Sequence, residues 1–191
     1  MQRALLFFAI LALTVACALA QTRPKLATTF ETHGIVQIKH NHSVVFGEGR
    51  WIFDLEAGKS LDWAHFGGFE HLGVYDLARF DLKKNYFISS ADARKCEEKD
   101  LTDKIRSPWE WLDKAEVVGN LTRNGVLFDL WQYKTAGVTL EAGVPQKNPT
   151  ELVYFSRTSV REEFHFYVEQ WRTNKPHQSW FEVPHECKKA F

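Results

Sequence analysis

The amino-acid sequence predicts an all-β fold, in which an antiparallel sandwich or open barrel carries one short helix. About nine or ten short runs are β-branched, aromatic or alternating in polarity, which is typical of strands. Helical spacing follows a capping signature at one place, and strands do not alternate with helices as a parallel sheet requires. The chain is long enough for one domain with a sizeable core.

The first twenty residues have the character of a secretory signal peptide. A short positive start precedes an apolar run from Ala4 to about Val15, and Ala18-Leu19-Ala20 forms a small-x-small cleavage pattern. The apolar run is short for a membrane span, so a transmembrane anchor is the weaker alternative. We therefore expect a secreted, extracellular protein with a signal peptide at 1–20 and no transmembrane anchor.

Charge and aromatic content narrow the classes of partner. The formal net charge is zero, which argues against nucleic acid as a partner and against strong attraction to anionic membranes. Fifteen Phe, seven Trp and five Tyr are an unusually high aromatic content. Aromatic side chains bury large areas, so they suit either a rigid core or the lining of an apolar cavity.

The elements follow one another without repeats or low-complexity tracts. Residues 21–32 are polar and aperiodic, which predicts an extended N-terminal arm, and residues 33–191 form the single β domain. The predicted strands lie at about 35–40, which 44–46 continue, and at 50–55, 61–63, 69–80, 86–88, 117–118, 126–133, 138–140, 152–155 and 164–171.

One segment has the signature of a helix. Ser107 is followed by Pro108 at the first helical position and by Glu110 three residues later, as in a capping box. Trp109, Leu112 and Ala115 follow at helical spacing. This pattern predicts a helix of about ten residues, a usual length for globular proteins.

The strongest hairpin signal is Asn124-Gly125, a dipeptide typical of two-residue turns. The strand that follows, residues 126–133, is apolar on both faces and is predicted to be covered on both sides. One face carries Val126, Phe128 and Leu130, and the other carries Leu127, Trp131 and Tyr133.

Cysteines and sequons agree with an oxidising compartment. Cys17 is removed with the signal peptide, and Cys96 and Cys187 remain. Two cysteines in a secreted chain most simply pair as a disulfide, with two free thiols as the alternative. Sequons at Asn41 and Asn120 are candidate glycosylation sites, so we expect a glycoprotein.

No catalytic pattern is present, and we expect that the protein is not an enzyme. The sequence contains no nucleophile elbow, zinc-protease motif, phosphate loop or dinucleotide fingerprint. His40 with His42, and His65 with His71, could each share a metal, but no third ligand follows at suitable spacing. His165 lies on the opposite face of its strand to Phe164 and Phe166. It could be a buried catalytic base, but a solvent-facing or hydrogen-bonded strand histidine is the more common case. No catalytic residue is assigned.

Acidic residues near Cys96 offer weak calcium ligands. Glu97, Glu98, Asp100 and Asp103 cluster there but lack the spacing and glycine of an EF-hand. A solvated charged loop is the alternative. Calcium is the one cofactor considered, and its ligands stay unassigned.

The order of several motifs resembles the ependymin family of secreted glycoproteins. Residues 51–54, Trp-Ile-Phe-Asp, are similar to that family's aromatic-x-Tyr-Asp strand. Residues 85–88 followed by Cys96 and Leu101 resemble its Tyr-x-Ile and Cys-x-x-x-x-Leu segments, and residues 126–131 its strand ending in Trp. The ending, residues 179–187, resembles its Phe-x-(Val/Ile/Leu)-Pro-x-x-Cys terminus.

This resemblance implies a fold and a set of partners. The implied fold is a curved sandwich or open half-barrel of two antiparallel sheets around a hydrophobic pocket, similar to bacterial lipoprotein-carrier domains. A homodimer, calcium binding, and a role in carrying apolar ligands or in extracellular matrix are also implied. The family usually has a cysteine where Val144 precedes Pro145 here. The bridges of that cysteine must be absent, which leaves Cys96 with Cys187.

Three hypotheses of function follow. The first is a secreted, non-enzymatic protein that binds a lipid or other hydrophobic ligand between its sheets. The second is a calcium-dependent matrix or cell-adhesion glycoprotein with a filled core, and the third is a hydrolase with an unrecognised site. A lipocalin, suggested by the G-x-W tripeptide at 49–51, is a competing class. By strand phase, the predicted pocket lining is Trp51, Phe53, Phe128, Leu130, Phe164 and Phe166.

Overall fold

The computed structural model describes residues 22–67, 73–89 and 95–189, so the predicted signal peptide lies outside the described chain. Those residues form one antiparallel sheet of 11 strands. The strands are β1 (Thr29–His40), β2 (Ser43–Asp54), β3 (Lys59–His65), β4 (Val74–Arg79), β5 (Lys84–Ser89), β6 (Cys96–Asp100), β7 (Glu116–Arg123), β8 (Val126–Thr135), β9 (Val138–Pro145), β10 (Tyr154–Ser159) and β11 (Glu162–Arg172). Short 3₁₀ helices span Glu110–Lys114, Gln178–Phe181 and His185–Lys189.

The sheet consists of two meanders that meet at one seam. The strand order is β6-β5-β4-β3-β2-β1-β11-β10-β9-β8-β7, so every neighbour is the next strand along the chain except at β1–β11. The predicted all-β, antiparallel and open architecture is confirmed. The two predicted sheets are instead two parts of one continuous sheet, because β1 pairs with β11 over ten residue pairs.

The predicted N-terminal arm, residues 21–32, is incorporated into the fold over most of its length. Strand β1 begins at Thr29 rather than near Ile35, and Leu26 and Phe30 are buried, with 7% and 0% of their surfaces exposed. These two apolar residues are separated by polar ones, so the segment lacks a visible period. Their burial against the core nevertheless orders it.

The predicted helix is shorter and tighter than expected. It is a five-residue 3₁₀ helix, Glu110–Lys114, followed by Ala115 in an extended conformation. Ser107 Oγ accepts a hydrogen bond from the Trp109 amide at 3.2 Å, and the Trp109 indole Nε1 donates to the carbonyl of Ala27 at 2.9 Å. Both Trp109 and Leu112 are buried in the core, so tertiary packing sets the length of this element.

The predicted hairpin turn is confirmed. Asn124 and Gly125 both have positive φ angles, 51° and 74°, as a type I′ turn requires. They connect β7 to β8, which pair in register from Arg123 and Val126 outward apart from one irregularity near Val117.

Both faces of the sheet are covered. The inner face bears an aromatic cluster around Phe30, over which the 3₁₀ helix packs through Trp109 and Leu112. The outer face buries a cross-strand row on β2 to β5, covered by the C-terminal segment through Phe181. That row is Ile52, Leu61, Leu77 and Tyr86.

The C-terminal segment is attached to the edge of the sheet. Cys187 forms a disulfide with Cys96 on the edge strand β6, so the alternative of two free thiols is wrong. Arg79 on β4 donates a hydrogen bond from Nη1 to the Phe181 carbonyl at 2.7 Å. Apolar burial, a covalent bond and a charged hydrogen bond thus hold the segment on the outer face. In the described part of the chain, no helix is long and apolar enough to span a membrane.

Candidate functional site

A cavity of about 490 Å³ lies on the inner face of the sheet. Six adjacent strands, β4, β3, β2, β1, β11 and β10, contribute to one cavity, which requires the sheet to curve around it. Its apolar lining residues are Val36, Ile38, Trp51, Trp63, Ala64, Phe66, Val74, Phe155, Phe164 and Phe166. This volume is within the range of about 300–1,000 Å³ that is usual for ligand pockets.

Small residues on the inner face set the depth of the cavity wall. Gly49 on β2 is covered by Val36, and a Cβ atom there would collide with the Val36 side chain. Ala64 on β3 is the direct cross-strand partner of Gly49. A glycine and an alanine side by side therefore add little side-chain volume to the wall beside the large aromatic residues.

Aromatic rings form the rigid part of the wall. The ring centroids of Trp51 and Phe155 are 5.8 Å apart, and those of Phe155 and Phe164 are 6.2 Å apart. Trp51 also packs edge-on against Phe30 at 5.5 Å, which connects the wall to the buried cluster. Rings fixed in this way change shape little on binding and offer a large apolar contact area.

The six residues predicted to line the pocket are divided between three places. Trp51, Phe164 and Phe166 line the cavity. Phe53 is on the same face but belongs to the buried cluster beside Phe30, with their ring centroids 5.7 Å apart. Phe128 and Leu130 are on the outer face, because their strand is apolar on both sides and Trp131 takes the inner face. The strand phase was correct for β2 and β11 but chose the wrong face of β8.

The mostly apolar lining includes two carboxylates, Glu162, which pairs with Arg157, and Asp62. Asp62 on β3 pairs directly with Trp51 on one side and Asp76 on the other, so all three are on the inner face. Asp62 is exposed to solvent at the cavity, although many protein atoms lie around its carboxyl group. Burial raises the pKa of Asp62 to about 7, and the Asp76 carboxylate adds to the shift.

Replacement of Asp62 by asparagine is expected to make stability less dependent on pH. The folded pKa of about 7 is above the unfolded value near 3.8, so the wild-type protein should lose stability as the pH rises between these values. Solvent reaches the group through the cavity, so we expect a difference of about 1 kcal/mol at pH 8. Urea unfolding of wild type and Asp62→Asn at pH 4 to 8 measures this. Parallel curves across that range would contradict it.

Sequence reasoning missed most of the lining residues, among them Asp62, Phe155 and Arg157. Asp62 alternates with Leu61 and Trp63, a pattern that in a one-sided sheet would place the carboxylate in solvent. Only the cross-strand pairing with Trp51 reveals its position. A strand at 152–155 was predicted. Phe155 is the cross-strand partner of Phe166, so knowledge of the β10–β11 pairing would have identified Phe155 as a lining residue.

The histidine candidates are not grouped as metal ligands in the described chain. His165 is on the outer face, where Nδ1 is 2.9 Å from the Tyr154 hydroxyl and Nε2 is 3.7 Å from Glu163. It is therefore a hydrogen-bonded strand histidine. His40 ends β1, His42 lies in the following turn, and His71 lies outside the described residues.

The acidic residues near Cys96 are neutralised by lysines. Lys84 Nζ lies 2.6 Å from Glu98 and 2.8 Å from Asp100, and Lys99 pairs with Glu97 at 3.2 Å. Glu97, Glu98 and Asp100 are in strand β6 rather than in a loop, whereas Asp103 lies in the irregular segment that follows β6. Within the described ranges, no group of three His, Cys, Asp or Glu side chains is placed to hold a metal ion.

Both sequons are at exposed positions. Asn41 occupies the two-residue turn between β1 and β2 with a φ angle of 53°, and Asn120 is in the edge strand β7. Neither residue is part of the cavity lining. Glycosylation of Asn41 and Asn120 stays a prediction.

The fold and the cavity define the class: an all-β protein whose open antiparallel sheet curves around an apolar pocket. No family model and no curated protein matches the chain. Among solved structures, a chain of the Pseudomonas aeruginosa MucA/MucB complex matches with 11% identity and a TM-score of 0.46, covering 83% of this chain and 57% of that one. The chain thus spans little over half of that relative.

Two smaller bacterial structures match over most of their own length. A putative outer membrane lipoprotein-sorting protein domain from Vibrio parahaemolyticus has 7% identity and a TM-score of 0.36, with 83% of this chain and 91% of that chain covered. The lipoprotein LppX of Mycobacterium tuberculosis has 10% identity and a TM-score of 0.30, with 76% and 88% covered. Similarity this distant carries no functional argument, so the proposed function rests on the cavity.

Proposed function

We propose that this protein binds a lipid or other hydrophobic molecule in the inner-face cavity and carries out no reaction on it. The observation that supports this most directly is a cavity of about 490 Å³ with aromatic and aliphatic walls. The resemblance to ependymins is part of the proposal, since it implies a pocket for apolar ligands on a secreted protein. The disulfide between Cys96 and Cys187 agrees with secretion into an oxidising compartment.

The energetics favour an elongated apolar ligand. Transfer of each methylene group from water to the cavity contributes about 0.8 kcal/mol. The walls already hold their shape through ring contacts such as Trp51–Phe155, so little ordering free energy is lost on binding. Few polar groups reach the cavity, so apolar contact supplies most of the affinity.

Substitution of Ala64 by tryptophan is expected to abolish binding. Ala64 faces the cavity, and an indole at that position would occupy a large part of its volume. The measurement is the fluorescence of a neutral apolar probe such as N-phenyl-1-naphthylamine, with at least a tenfold loss of affinity expected.

His65→Trp is the matched control, because His65 is the next residue on β3 and is on the opposite face. It should leave probe affinity unchanged. Equal probe affinity in wild type and Ala64→Trp would contradict the proposal. A second contradicting result would be native mass spectra and lipid extracts in which neither the purified nor the probe-incubated protein carries an apolar molecule.

A further inference from the structure

The cations at the cavity already have partners. Arg157 on β10 lies 3.1 Å from Glu162 through Nη2, and both residues border the cavity. The Arg50 guanidinium lies on the outer face, 5.0 Å from the Trp180 ring and 3.4 Å from Glu31. Each guanidinium therefore already has a carboxylate partner.

The negative charge at Asp62 has no such compensation. The causes of its pKa shift are burial and the like charge of Asp76, and no cation of the described chain lowers it. Apolar walls reduce the hydration of a carboxylate beside them, so contact with an opposite charge or with hydrogen-bond donors is favoured there. A ligand that carries such donors would supply that contact on binding.

We propose that the cavity selects amphiphiles with a protonated amine at one end, whose ammonium group binds at Asp62. This inference rests on the proposed binding function and specifies its ligand class. An ammonium has three donors, which match the Asp62 carboxylate and the adjacent Asp76. The tail packs against Phe155, Phe164 and Phe166.

Trp51 adds a second attraction for a cation. It is the direct cross-strand partner of Asp62, so its indole and the carboxylate border the same end of the cavity. An ammonium within about 6 Å of an indole face gains further electrostatic stabilisation, most of all where water is excluded. An alkyl carboxylate receives neither contribution and is repelled by Asp62.

The charge state of Asp62 makes this selectivity depend on pH. Other charged groups near the carboxyl group are Asp76 on β4 and, at the cavity wall, Arg157 paired with Glu162; β1 and β2 present apolar residues. Since the pKa of Asp62 is about 7, amine binding should strengthen as the pH rises from 6 to 8. An alkanol of the same length should show no such change.

The test compares three ligands that differ only in their head group: dodecylamine, dodecanol and dodecanoate. Each displaces a neutral fluorescent probe from wild-type protein at pH 8, below its aggregation concentration. We expect the amine to bind at least tenfold more tightly than the alcohol, and the carboxylate more weakly than the alcohol. Asp62→Asn should cost the amine at least tenfold and leave the alcohol unchanged, which also shows that the variant is folded.

Asp113→Asn is the matched control, since Asp113 is an exposed carboxylate on the 3₁₀ helix. It should preserve the order of the three ligands. Dodecanoate binding as tightly as dodecylamine, or an amine preference that persists in Asp62→Asn, would overturn the amine proposal while alcohol binding still supports the pocket. Failure of all three ligands and of the probe would overturn both proposals.

Discussion

Replacement of Cys187 by serine is expected to lower the free energy of unfolding by about 4–5 kcal/mol. The bridge to Cys96 closes a loop with a sequence separation of 91 residues, and the loss of that constraint enlarges the conformational entropy of the unfolded chain. The melting temperature should fall by about 10 °C or more for a protein of this size. Urea unfolding without reductant, followed by tryptophan fluorescence, measures the change.

Two further variants isolate the bridge from the packing of the tail. Cys96→Ser and the double variant should lose as much as Cys187→Ser, because all three remove the same bond. Glu182→Gln, an exposed substitution in the same segment, should unfold like wild type. If Cys187→Ser left the unfolding midpoint unchanged, the disulfide would not contribute to stability, and packing alone would hold the C-terminal segment.

Substitution of Phe30 by alanine is expected to cost about 3–5 kcal/mol. Phe30 is fully buried and is the centre of the inner-face cluster. Its ring centroid is 4.7 Å from that of Trp171 and between 5.5 and 5.7 Å from those of Trp51, Phe53 and Trp109. A cavity at this point would loosen the wall that Trp51 forms, so probe affinity should fall as well.

Phe46→Ala provides the matched comparison. Phe46 belongs to the same β1–β2 hairpin, but 58% of its surface is exposed. The same truncation there leaves no cavity and should change stability by less than about 0.5 kcal/mol. Equal shifts of the denaturation midpoint in the two variants would contradict the central role of Phe30.

Local patterns in the sequence were sufficient for the fold class and for the strongest turn. The period of two along β2 correctly placed Trp51 and Phe53 on one face, and Asn124-Gly125 marked the β7–β8 hairpin. The seam was not predictable, because β1 and β11 meet across contacts such as Gln37 with Tyr167, which are 130 residues apart. Unless that pairing is known, the same local patterns are expected for one continuous sheet and for two separate sheets.

The candidate site was harder to predict than the fold, for a physical reason. Alternation fixes which residues share a face but not which face is hollow, and β8 is apolar on both sides. The choice of Phe128 and Leu130 failed there. Asp62 was overlooked because its importance comes from neighbours on other strands, Trp51 and Asp76, rather than from its own segment.

The seam between the first and last strands has a consequence for the order of folding. Strands β1 to β6 can form as a meander while the rest of the chain is still being synthesised, but β1 then has no partner on its other side until β11 emerges. A twelve-residue strand with a free edge can pair with other chains, and such distant pairings form slowly. The newly made protein should therefore be most vulnerable to aggregation just before its last strand is complete, and crowded conditions or delayed synthesis of β11 should reduce its yield.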